Sequence, residues 1–219
     1  MRHDLEQAVV CVIGLGYVGL PLAQAFAKSL KVIGFDIDRQ KLNELKALNQ
    51  PALSFTADPK EISKADFIII CVPTPVTKSK EPDLSYVKSA ATIASQNMKG
   101  GSVVILESTV YPGVTEEVIK PILEESGLEC GKDFKIAYSP ERINPGDDKH
   151  TIDRVTKIVS GMDEGTTELV AELYSKIAYQ FLNRLRHLPN GYWPYSLQWV
   201  LYLCDKVSAR WQRISARWQ

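Results

Sequence analysis

Little in this sequence marks a metal, a membrane or a nucleic acid. Cysteine is scarce: Cys11, Cys71, Cys130 and Cys204 are the four in 219 residues, far apart and with no CxxC pair. That spacing argues against a zinc site and against a disulfide framework, so no metal is expected. Cys11 and Cys71 fall inside apolar runs, where a thiol serves as a small buried hydrophobe. An excess of either charge is missing too. The 26 Lys and Arg are matched by 26 Asp and Glu, which leaves no basic footprint for nucleic acid. Long apolar stretches are absent and the start, residues 1–7, is charged. Neither a signal peptide nor a membrane span is expected, and the cytoplasm is the expected compartment.

What the chain does hold is 45 % hydrophobic residues, ample for a packed core, arranged as short β-rich runs that alternate with helical patterns. Strands are expected at residues 8–14, 31–36, 65–72, 102–108, 134–139 and 155–160. Helices are expected at about 18–30, 39–48, 83–98 with Asp83 as N-cap, 114–126 after the Tyr111-Pro112-Gly113 turn, and 164–177. The run ADFIIICV at 65–72 is continuous enough for a strand buried on both faces. Strands and helices in this alternation imply an α/β fold, a mostly parallel sheet covered on both sides.

The character changes near residue 178. Residues 179–219 contain all four tryptophans, repeat Ser-Ala-Arg-Trp-Gln at 208–212 and 215–219, and show no clear βα alternation. With Asp205 as their sole acid they carry a net +5, against −5 for the part before them. The expectation is a nucleotide-binding domain over 1–178 and an aberrant or truncated tail over 179–219, such as a frameshifted reading; an amphipathic partner-binding segment is the other reading.

Gly14-Leu15-Gly16-Tyr17-Val18-Gly19 fits G-x-G-x-x-G between a strand and a helix. In that context Gly14 makes the tight turn, Gly16 admits a pyrophosphate close to the backbone, and Gly19 lets helix and strand pack. The helix N-terminus then stabilises phosphate charge. Asp36, 22 residues after Gly14 at the end of the second strand, is placed to accept ribose hydroxyls and to repel a 2′-phosphate, which favours NAD over NADP despite Arg39 and Lys41 nearby. Lys41 either contacts the ribose edge or is a solvated helix-face lysine. Two further strand ends, VPTP at 72–75 and ESTV at 107–110, point to the same crevice. Thr74 and Thr109 there bond a nicotinamide ribose or a catalytic water, or merely cap loop backbone. Glu141-Arg142 is either a general base beside a cation or a surface ion pair. The fold class is thus a Rossmann-like, doubly wound sheet.

Five motifs in one order, GLGYVGLP, FDID, VPTP, ESTVYPG and YSPERINPGD, resemble the UDP-glucose/GDP-mannose dehydrogenase family over residues 8–178. PERINPGD resembles the branch that acts on UDP-N-acetylhexosamines, the Vi polysaccharide type. The resemblance implies oxidation of a sugar C6 alcohol to a carboxylate by two NAD in turn, through a cysteine-bound thioester, in capsular or surface polysaccharide synthesis. It also implies an NAD site at Gly14, Leu15, Gly16, Tyr17, Val18, Gly19, Asp36, Lys41, Thr74, Ser108 and Thr109. Thr109 would hold a catalytic water and Glu141 would act as base in hydrolysis. Glu141, Arg142 and Ile143 would lie against the UDP-sugar. Family members continue into a helical dimerisation region and a second α/β domain with a catalytic lysine, asparagine and cysteine. A homodimer is the expectation for the full-length family rather than for this chain. Cys204-Asp205-Lys206 lacks the expected order and glycine-rich lead, Cys130 sits in a loop, and neither is assigned as nucleophile. A standalone NAD-binding module without catalysis is the alternative reading; a β-hydroxyacid dehydrogenase has a similar glycine turn, but the VPTP, ESTVYPG and PERINPGD set disfavours it.

Overall fold

Phe67, Ile68, Ile69 and Ile70 are fully buried, as befits a strand in the middle of a sheet covered on both faces. The computed structural model describes residues 4–48, 50–76, 82–140 and 157–177 and the backbone of 181–182. The elements in chain order are β1 (Val9–Ile13), α1 (Gly19–Phe26), β2 (Lys31–Phe35), α2 (Arg39–Lys46), β3 (Leu53–Thr56), β4 (Phe67–Ile70), α3 (Ser85–Asn97), β5 (Val103–Leu106), α4 (Lys120–Glu124), β6 (Lys135–Tyr138), β7 (Lys157–Ile158), β8 (Ser160–Gly161), α5 (Glu164–Ser175) and β9 (Phe181–Leu182).

Seven strands form one sheet in the order β3-β2-β1-β4-β5-β6-β8, parallel except for β8, which runs antiparallel to β6 at the edge. The chain reverses its winding direction between β1 and β4, the point where open α/β sheets leave a crevice at their carboxyl edge. Strand side chains alternate between two cores. Cys11, Ile13, Ile68, Ile70, Val104 and Leu106 pack with α3 and α4, whereas Val10, Val12, Phe67, Ile69, Val103 and Ile105 pack with α1, α2 and α5.

The expected α/β sheet is therefore observed, with four local differences. Strand β3 and a 3-10 turn at Pro59–Lys64 are additions, because LSFT is too short and too polar to register as a strand. The expected helix at 114–126 is split into a π-helical stretch, Val114–Ile119, and α4. Pro121 explains the split, since it has no N–H to donate and its ring crowds the carbonyl four residues back. The expected strand at 155–160 falls into β7 and β8, which belong to different ladders. β7 pairs in parallel with β9, whose backbone lies just beyond residue 178, and the rest of the expected tail lies outside the described residues. Asp83 Oδ1 accepts the Ser85 amide at 2.9 Å in the entry turn of α3, while the N-cap position itself is Leu84. Among the described residues no helix is long and apolar enough to cross a membrane.

The core should be correspondingly intolerant. Ile69→Ala, at a position with no exposed surface, is expected to lower unfolding free energy by about 2–5 kcal/mol, read from urea denaturation of the two proteins.

Candidate cofactor site at the carboxyl edge of the sheet

The site begins with backbone that only glycine accommodates. Gly14 has φ +92° and its amide donates to the Phe35 carbonyl at 2.9 Å, so the chain leaves β1 in a tight turn against β2. A Cβ on Gly19 would stand 1.8 Å from the Gly14 carbonyl oxygen and 3.1 Å from Cys71 Cβ. The first turn of α1 thus sits directly on the turn it follows. A Cβ on Gly16 would meet nothing within 4 Å, and the space over this residue is open. Helix α1 starts without a side-chain cap and without an acidic residue in its first turn, whereas α2 and α5 are capped by Asp38 and Asp163. An open space before an uncapped helix start fits a phosphate group.

Register places four more residues in line with Gly14. Ile13 pairs with Phe35 and Ile70, Ile70 with Leu106, and Leu106 with Tyr138. The next residue on each strand gives the row Asp36, Gly14, Cys71, Glu107, Ser139. The amides of Gly14, Cys71, Glu107 and Ser139 each continue the ladder with bonds of 2.8–3.0 Å.

Asp36 is buried at one end of this row. Its Oδ2 accepts the Leu15 amide at 2.9 Å and the Lys41 ammonium at 2.8 Å, and its Oδ1 accepts the Asp38 amide at 3.0 Å. Burial by itself would raise the Asp36 pKa, but Lys41 and the Asp38 and Leu15 amides together hold it below the usual carboxylate value. Lys41 is therefore engaged with the acid rather than free on its helix face. With one donor on Oδ1, the carboxylate keeps acceptor capacity for a hydroxyl.

On the far side of the row, Thr74 Oγ1 donates to the Thr109 carbonyl at 2.7 Å and Ser108 Oγ to the Val72 carbonyl at 2.7 Å. These bonds stitch the ends of β4 and β5 together, across strands rather than within one loop. Thr109 itself is exposed. Tyr17 and Val18 stand at the start of α1, Tyr17 with 65 % of its surface exposed. Ile37, Val76 and Tyr111 add exposed apolar groups on the loops after β2, β4 and β5; sequence periodicity gave no sign of this rim. Glu141, Arg142 and Ile143 lie outside the described residues.

A buried polar cluster was also missed. Glu107, with no exposed surface, takes the Lys157 ammonium on Oε1 and the Tyr174 hydroxyl on Oε2, the latter at 2.6 Å. Lys157 also reaches the Pro140 carbonyl at 3.4 Å. Burial pulls the Lys157 pKa below the ordinary lysine range. Glu107 and Lys157 are 50 residues apart and Glu107 and Tyr174 are 67 apart, so no local pattern signals them. Neither described thiol outside the row is activated: burial pushes Cys11 up to about 12, and burial, outweighing the Lys120 ammonium, pushes Cys130 up.

A doubly wound sheet with a glycine turn, an uncapped helix start and an acid at the next strand end defines a dinucleotide-binding domain. The chain belongs to the UDP-glucose/GDP-mannose dehydrogenase family, whose NAD binding domain matches residues 8–52 and 45–178. It is 46 % identical to Protein CapL of Staphylococcus aureus over 181 residues, 77 % of this chain and 43 % of that protein. It is 42 % identical to the UDP-N-acetyl-D-glucosamine 6-dehydrogenase of Salmonella typhi over 187 residues, 79 % of this chain and 44 % of that one. The solved UDP-D-ManNAc dehydrogenase from Pyrococcus horikoshii superposes with a TM-score of 0.71 at 32 % identity, covering 80 % of this chain and 46 % of its own. The chain spans less than half the length of these relatives.

Two tests follow from the geometry. Gly19→Ala should cost about 1–3 kcal/mol or more, because backbone must shift, while Gly16→Ala should leave stability within about 1 kcal/mol; chemical denaturation of both variants measures the contrast. Because the folded Asp36 pKa lies below its ordinary 3.8, its contribution is complete above that value and fades as pH falls through the folded one. The Tm advantage over Asp36→Asn should therefore shrink as pH falls from about 5 to about 2, and an advantage that stays constant would contradict the geometry.

Proposed function

We propose that this chain is the NAD-binding part of a cytoplasmic nucleotide-sugar 6-dehydrogenase that oxidises a UDP-N-acetylhexosamine to its uronic acid. The observation that carries the reading is Asp36, a buried, ionised acid that keeps acceptor capacity beside the open space at Gly16. A 2′-phosphate brought there would meet negative charge, whereas ribose hydroxyls would meet an acceptor. In this reading Gly14, Leu15, Gly16, Tyr17, Val18 and Gly19 hold the pyrophosphate and adenosine, with Asp36 and Lys41 at the ribose. Thr74, Ser108 and Thr109 face the nicotinamide half, and Thr109 holds the water used in hydrolysis. Glu141 serves as base, and Arg142 and Ile143 lie with it against the UDP-sugar. The bound NAD supplies hydride acceptance; this chain's residues orient it and exclude the phosphorylated cofactor.

The relatives named for UDP-N-acetylhexosamine oxidation support the substrate class, as does the PERINPGD motif. The boundary proposed for the domain is residue 178, with 179–219 as a separate tail. The lysine, asparagine and cysteine implied by the family resemblance belong to the half of the relatives that this chain does not cover, as does the dimerising helical region. The 219-residue chain is accordingly proposed to bind NAD without turnover.

Calorimetry should show saturable binding of NAD by the full chain, weaker binding of NADP, and loss of NAD binding in Asp36→Ala. No NADH should form from UDP-N-acetylglucosamine. A folded chain that fails to bind NAD would overturn the cofactor reading, and NADH production would overturn the assignment of the chemistry to a second half.

A further inference from the structure

The Glu107–Lys157–Tyr174 cluster has no part in the reading above, yet its Glu107 lies in the same row of the sheet as Asp36 and Gly14. A buried ion pair is a poor source of stability, since well-packed apolar side chains commonly do as well or better. Its placement suggests another use. Glu107 directly precedes Ser108, with Thr109 next, and Pro140 directly precedes Glu141. Lys157 contacts the Glu107 carboxylate and the Pro140 carbonyl, so a single ammonium joins the ends of β5 and β6. Tyr174 of α5 holds the other oxygen of Glu107 and packs edge-on against Phe26 of α1 at 5.5 Å between ring centroids. On the opposite side the β5 end is bonded to β4 through Ser108 and Thr109.

We propose that Lys157 is a positioning residue. Through Glu107 and Pro140 it sets the spacing of the two strand ends that present Ser108 and Thr109 to the nicotinamide half of the cofactor and lead into Glu141. The proposal rests on the NAD reading given above. It separates the two halves of the cofactor, because the adenosine half is held at Asp36 and the glycine turn, at the other end of the row.

The test compares NAD with ADP, which carries only the adenosine half, by calorimetry on the full chain. Lys157→Met, folded by circular dichroism, should bind NAD about tenfold more weakly with ADP affinity unchanged. Tyr174→Phe, which removes one hydroxyl and keeps the ring, should show the same selective loss in smaller measure. If Lys157→Met does not fold, Tyr174→Phe decides on the same comparison. Equal losses for NAD and ADP, or no loss for NAD in a folded variant, overturn the positioning role. If the unaltered chain binds ADP and NAD equally well, the nicotinamide half makes no contact and the proposal falls while the adenosine site stands. No binding of either would remove the cofactor reading and this proposal with it.

Discussion

The approach of α1 to the turn after β1 is the constraint on which the carboxyl edge depends. With a Cβ at Gly19 placed 1.8 Å from the Gly14 carbonyl, no other residue fits without moving the helix, and the helix in turn fixes where the Leu15 amide points. That amide bonds Asp36, the end of β2. One close packing therefore couples the glycine turn, the helix start and the acid into a single rigid arrangement, supported beneath by Leu22, Ala23 and Phe26 on the sheet.

Two buried carboxylates stand in the same row of the sheet, and each is matched by a lysine. Asp36 has Lys41 and backbone amides; Glu107 has Lys157 and a tyrosine hydroxyl. A carboxylate taken out of water without such partners would take up a proton instead. The pairing differs in consequence. Lys41 is partly exposed and five residues from Asp36 on the adjoining helix, so this pair borders solvent. Lys157 is nearly enclosed, so its influence is exerted through the strand ends it joins.

Legibility in the sequence followed the range of the interaction. The runs around 9–13, 67–70 and 103–106 announce buried parallel strands, and the glycine spacing announces the turn, because each signal is complete within a few residues. Strand β3 was not legible, since four residues of mixed polarity are held there by pairing with β2 rather than by their own pattern. The π-helical stretch was missed although Pro121 stood in view within the expected helix. Lys157 and Tyr174 carried no local sign at all: a lysine in a short strand reads as a surface residue until its partner is seen.

The amino-acid sequence by itself determined the α/β alternation, the glycine turn, an acid at the end of the second strand and the family to which the chain belongs, because these rest on local spacing and on motifs in order. The tertiary structure decided what those residues touch. It placed Lys41 on Asp36, bound Thr74 and Ser108 across neighbouring strands, and buried Glu107 with Lys157 and Tyr174, since strand order and register alone bring together groups that the chain keeps dozens of residues apart.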